Sequence, residues 1–131
     1  MRKRHILALL AFMIAGCVSS PPNPAGVALG EQFQLAYGQS VDIREAGFGI
    51  EFVAVVEDSR CAEGAVCVWE GNARVEISVS NIDASLNTTL EPRQVSHQGY
   101  LIRLLAVNPY PVLGEQIEPE DYVIALIVTK E

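Results

Sequence analysis

The sequence predicts an all-β domain: a single β-sandwich, or a partly open barrel, of about seven strands with one disulfide-tied loop. Three observations carry this expectation. Short stretches alternate apolar and polar residues with a period of two. Gly, Pro and Asn recur between those stretches at short spacing. No segment holds a helical period over ten residues or more. The folded part is roughly a hundred residues, enough for one domain around one core.

Taken in order, "EQFQLAYGQSVDI" gives two short strands broken at Tyr37-Gly38. In "FGIEFVAVVED", Phe48, Ile50, Phe52, Ala54 and Val56 fall on one face, and Gly49, Glu51, Val53, Val55 and Glu57 on the other. That is a strand with one apolar side and a partly covered second side. "VCVWEGNARVEISVSNI" sets Arg74, Glu76, Ser78 and Ser80 against Val75, Ile77 and Val79, a strand with one wet face that is expected to start near Val66. "NTTLEPRQVSHQ" reads as a short strand and a turn. "GYLIRLLAVNPY" is an apolar strand ending at Asn108-Pro109, and "DYVIALIVTKE" is a last, almost continuously apolar strand. Between these two, "NPYPVLGEQIEPE" is too long for a tight hairpin and is expected to cross from one sheet to the other. No internal repeat is seen.

Ahead of the domain, Arg2, Lys3 and Arg4 form a basic start, and residues 6–14 form an apolar run too short to span a bilayer as a helix. Ile14-Ala15-Gly16-Cys17 follows. This arrangement resembles the lipobox of bacterial lipoprotein signal peptides, with Ile14 where leucine is commoner. The resemblance implies that residues 1–16 are a signal peptide cut before Cys17, and that Cys17 carries a thioether-linked diacylglycerol and usually an N-acyl chain. Multiple acyl chains hold a protein firmly, at about 0.8 kcal/mol per buried methylene. The competing readings are an ordinary secretory peptide cut nearby and an uncleaved anchor. Residues 17–29, rich in Pro and Ser, read as a tether, and residues 30–131 as the all-β domain. Val18 stands where an aspartate would resemble an inner-membrane retention signal in enteric-type bacteria. The expected location is therefore the cell envelope, at the outer membrane and facing the periplasm.

Cleavage removes three of the nine basic residues and none of the sixteen acidic ones, leaving a formal charge of −10 on 115 residues. Nucleic acid is excluded as a partner, because phosphate-backbone binding needs clustered Lys and Arg. Anionic lipid beyond the acyl anchor is disfavoured for the same reason. The expected partners are the membrane, through the lipid on Cys17, and an envelope protein.

The densest stretch is "EDSRCAEGAVCVWEGNARVEI". With Cys17 lipidated, Cys61 and Cys67 remain as an even pair in an oxidising compartment. A zinc site needs about four Cys, His or carboxylate ligands, and the domain has only His97 far away in sequence; no metal and no cofactor is expected. A thioredoxin-like site wants C-x-x-C at the start of a helix, not C-x5-C in a β chain. A disulfide fits: Gly64 can turn the chain so that the two Cα atoms come within bonding range, and closing such a loop is worth about 2 to 2.5 kcal/mol in the polymer estimate. Trp69 reads either as packing beside that bridge or as a surface anchor for a partner. Asp58 and Ser59 can turn onto nearby amides, and Arg60 can pair with Asp58 or a buried carboxylate. Ser59, His97 and Asp58 make a triad only on paper, since neighbours in an extended chain point to opposite sides and no nucleophile elbow accompanies them. No catalytic residue is assigned. Asp58, Ser59, Arg60 and Trp69 are the candidate interaction loop.

The pattern DSRC-x5-C-x-W-x-G-x-A, carried by Asp58, Ser59, Arg60, Cys61, Cys67, Trp69, Gly71 and Ala73, resembles that of an uncharacterised family of small bacterial lipoproteins. "NPYP" and "DYVIALIVT" are similar to the C-terminal half of that family. Ala62 stands where the family has proline, which loosens the loop without removing the bridge. The resemblance implies the domain and no chemistry.

The function expected on these grounds is a binding or interaction module held at the envelope by its lipid. The alternative is a structural or accessory envelope component. A peptidase inhibitor is a variant of the first, and an enzyme ranks last, given one histidine in the domain, no phosphate loop and no paired catalytic carboxylates. Glu118, Glu120 and Asp121 match no calcium-loop spacing and read as a solvated turn.

Overall fold

The computed structural model describes Gly16 and residues 26–131. Apart from Gly16, the expected signal peptide, Cys17 with its expected lipid and most of the expected tether lie outside the described residues. The rest forms eight strands: β1 Phe33–Ala36, β2 Ser40–Ile43, β3 Phe48–Asp58, β4 Ala73–Val79, β5 Ile82–Asn87, β6 Gln94–His97, β7 Tyr100–Asn108 and β8 Val123–Lys130. They make two four-stranded antiparallel sheets, ordered β1-β8-β7-β6 and β2-β3-β4-β5. This is a β-sandwich, not a closed barrel. The chain meanders through each sheet and changes sheet at Tyr37-Gly38 and between β5 and β6.

Alternation sets the core. Ile50, Phe52, Val75, Ile77 and Leu86 point inward from one sheet, and Leu35, Ile102, Ile124, Leu126 and Val128 from the other, all buried. Arg74 lies on the outer face, as the period of two requires.

Four expectations are corrected. Ile82–Asn87 is a strand of its own, not a part of the segment before it, and brings the total to eight; Ser80 and Asn81 both take positive φ, 50° and 63°, and turn the chain in two residues. In β3 the register shifts between Phe52 and Ala54 and again between Val55 and Glu57. These bulges rotate the strand, so Val56 is exposed and Val55 packs against the core. β4 begins at Ala73, not near Val66, and Val66 and Val68 are fully exposed in the loop before it. Finally, the segment between the last two strands does not cross sheets. β7 and β8 pair directly, Leu104 with Leu126. The extra length goes into an excursion that bridges Val112 to Glu63.

The register gives the sandwich two distinct poles. At one, Val27 bridges Ile43 beside the start of β3, three residues ahead of the expected domain boundary at residue 30. The turns Ser80-Asn81 and Gln98-Gly99 lie there too, with the amide of Glu131 on the carbonyl of Gly99. This is the terminal pole. Ten steps along β3, roughly 30 Å away, lie residues 59–72, 88–93 and 109–122. This is the loop pole.

Candidate functional site at the loop pole

β3 delivers Asp58 to the loop pole, and the chain doubles back so that Arg60 faces it. The Arg60 guanidinium donates Nε to Asp58 Oδ1 and Nη2 to Oδ2, both at 2.8 Å. It also donates Nη1 to the carbonyl of Val107 at 2.6 Å and Nη2 to that of Pro109 at 3.0 Å. Its Cζ lies 5.2 Å from the centre of the Tyr110 ring. From the other flank, the Tyr122 hydroxyl donates to Asp58 Oδ2 at 2.8 Å. The side chains of Arg60 and Asp58 are 6% and 12% exposed. One planar fork therefore ties the end of β3, the end of β7 and the start of the 109–122 loop.

Burial pushes the Asp58 carboxyl up, but the hydrogen bonds from Arg60 and Tyr122 and the guanidinium charge outweigh it and hold it below its ordinary value. Burial, together with the Asp58 carboxylate, pushes the Tyr122 hydroxyl up to about 12. Neither group changes charge near neutral pH.

The rest of the loop is held as tightly. Cys61 and Cys67 are joined by a disulfide, with Cα atoms 5.9 Å apart. Gly64 turns between them at a φ of 90°. The Cys61 amide donates to the Glu70 carbonyl at 2.9 Å and the Ser59 amide to that of Asn72 at 2.8 Å. The Ser59 hydroxyl donates to the Asn72 carbonyl and accepts from its amide. Gly71 has no room for a side chain: a Cβ there would sit 1.9 Å from the Ser59 carbonyl oxygen. Behind it, Asn72 is buried; its amide nitrogen donates to Asn87 Oδ1 and its oxygen accepts from Thr89 and Leu90. Ala73, fully buried, closes the motif.

No family model, curated protein or solved structure matches this chain. The geometry has to speak for itself.

It divides the candidate interaction loop. Asp58 and Arg60 turn inward onto each other, and Ser59 bonds to Asn72. Trp69 faces outward, 51% exposed, so it is not a core residue. Beside it stand Val66 and Val68, and across the bridge between Glu63 and Val112 stand Tyr110 and Leu113, all exposed. A groove of about 300 Å³ opens here, lined by Arg60, Glu70, Thr88, Thr89, Val107 and Tyr110 among others. His97 lies at the opposite pole with its ring 4.9 Å from Phe48, so Ser59, His97 and Asp58 are not brought together. Glu118, Glu120 and Asp121 lie at and in an exposed 3-10 turn, Pro119–Asp121. Among the described residues no three His, Cys, Asp or Glu converge on a metal position.

Sequence reasoning found the Asp58–Arg60 pair and missed Tyr122, Asn72 and Asn87. Tyr122 heads an apolar strand 64 positions from its partner, and only its polar tip before a buried run hints at a bond. Asn72 and Asn87 sit in stretches already full of turn residues, where a buried amide looks like any other Asn.

Proposed function

We propose that this chain is a membrane-anchored envelope lipoprotein whose sandwich is a binding module, with the Trp69 loop as its contact surface. The observation that carries it is the placement of Trp69. Of the eight residues in the DSRC-x5-C-x-W-x-G-x-A pattern, seven are tied into the fold by a bond, a close approach or burial, and Trp69 is the large side chain left half-exposed without such a tie. Indole is among the side chains most used as an anchor in protein interfaces. The chain reaches the sandwich at the terminal pole, through Val27, so a lipid on Cys17 would hold that pole at the membrane and leave Trp69 on the far side. The disulfide and the Arg60 fork fix the loop before any partner arrives, which lowers the ordering cost of binding.

A photo-crosslinking residue placed at position 69 in native cells tests this, with the same residue at position 81 in the terminal pole as the control. A discrete adduct from position 69 and none from position 81 is expected. Equal labelling from both positions, or turnover of a substrate by the isolated protein without any adduct, would overturn it.

A further inference from the structure

The loop pole carries charge of one sign. Residues 61–72 and 109–122 contain Glu63, Glu70, Glu115, Glu118, Glu120 and Asp121, all exposed, and no Lys, Arg or His. Three cations reach this end: Arg60 is paired with Asp58, Arg93 with Glu91 at 3.3 Å, and Arg74 at the start of β4 stands opposite Glu57 in the β3–β4 register, so each is matched by a carboxylate outside the two loops. Six uncompensated negative charges therefore gather here, of the ten on the chain after Cys17. The terminal pole is mixed, with Arg44 next to Glu45 and Lys130 next to Glu131. Within the acidic rim stand the exposed Val66, Val68, Trp69, Tyr110 and Leu113. An apolar, aromatic patch rimmed by carboxylates is the complement of a surface that mixes apolar and basic side chains. It repels a phosphate backbone and an anionic lipid surface.

Resting on the binding-module reading, we infer that the loop pole docks a cationic polypeptide segment bearing apolar side chains among its lysines or arginines. Val66, Val68 and Trp69 meet the apolar side chains. The carboxylates of both loops meet the basic ones. The groove between Glu70 and Tyr110 accepts one long basic side chain, its methylene stem against Val107 and its charge at Glu70. Arg60 does not oppose this, because its charge is matched by Asp58 within the fold.

Trp69 is the only tryptophan of the chain, so its emission reports the loop pole alone. The full lipidated protein, in nanodiscs of neutral phosphatidylcholine, is titrated with a Lys/Leu peptide, the same peptide with Glu for Lys, and vesicles of phosphatidylglycerol. The Lys/Leu peptide should give a saturable blue shift that weakens as salt rises. Glu115→Gln, Glu118→Gln, Glu120→Gln and Asp121→Asn together should weaken it about tenfold or more, at the usual worth of exposed ion pairs. The charge-matched control at the other end, Glu31→Gln, Glu45→Gln, Asp83→Asn and Glu131→Gln, should leave it unchanged. Equal weakening by both sets overturns the inference, since net charge alone would then act. An equal shift with the Glu peptide overturns it while leaving the binding module standing, and a shift with phosphatidylglycerol makes the pole a lipid contact instead. No shift with any probe, together with no adduct from position 69 in cells, removes the binding module and the inference with it.

Discussion

Arg60 reaches three segments at once, and its loss should be felt in all of them. Arg60→Ala leaves the Asp58 carboxylate, nearly buried, with Tyr122 as its one side-chain partner. Breaking a buried pair on one side costs about 3–5 kcal/mol, which urea unfolding would read directly. Arg60→Lys should recover only part of that, because an ammonium cannot span two carboxylate oxygens and two carbonyls together. The same cluster sets a pH dependence with two arms. The Asp58 carboxyl is depressed in the fold, so its contribution is present above the ordinary carboxylate pKa of 3.8 and is lost as pH falls through the lower folded value. The Tyr122 hydroxyl is raised from 10.0 to about 12, so its contribution is whole below pH 10 and fades as pH climbs to about 12. Tyr122→Phe should cost about 1.5–3 kcal/mol at neutral pH, as a hydrogen bond to a charged group does. It should also remove this group's part of the alkaline loss in a thermal-melt series against pH. The Asp58–Arg60 pair was legible in the sequence because its members are two positions apart; Tyr122 was not, because only the folded chain carries the start of β8 to the end of β3.

The 59–72 loop is stapled by a disulfide and also by backbone bonds on either side of it. Replacing Cys61 and Cys67 by Ser should cost about 2–4 kcal/mol. The backbone bonds Cys61 to Glu70 and Ser59 to Asn72 should keep the loop in place, so the value belongs at the lower end. Chemical denaturation gives the cost, and alkylation of the unreduced parent should find neither thiol free. Element by element, a period of two was enough to find β3 and β4, each with one apolar face; β7 and β8 stood out as apolar runs, and β1 and β2 as short pieces broken at Tyr37-Gly38. β5 stayed hidden because its hairpin turns on Ser80-Asn81 rather than on the familiar Asn-Gly, and because Ile82 at its start is exposed. The bulges of β3 were invisible for another reason: register belongs to a pair of strands, and a single strand's sequence does not contain it. The 109–122 loop was misread because its length suggested a sheet crossing, whereas that length is used to meet Glu63.

At the scale of the whole molecule, the proposed lipid anchor rests only on resemblance to a signal motif, and its test is direct. Changing Cys17 to Ala should move the protein to the aqueous fraction or leave it unprocessed, and a mature wild-type mass without an acyl increment would end the anchor hypothesis. A separate expectation follows from having both described chain ends at one pole and Trp69 at the other. If the lipid holds one pole and a partner pulls on the other, tension runs along the strands. The ladder bonds of an antiparallel pair lie across that direction, so they would be strained together, in shear. Pulling on the two chain ends instead would peel β1 from β8, which start and finish at the same pole, one rung at a time. Single-molecule force spectroscopy should therefore find a higher rupture force between positions 26 and 69 than between positions 26 and 131. Equal forces would mean that the sandwich is not built to bear load along that axis.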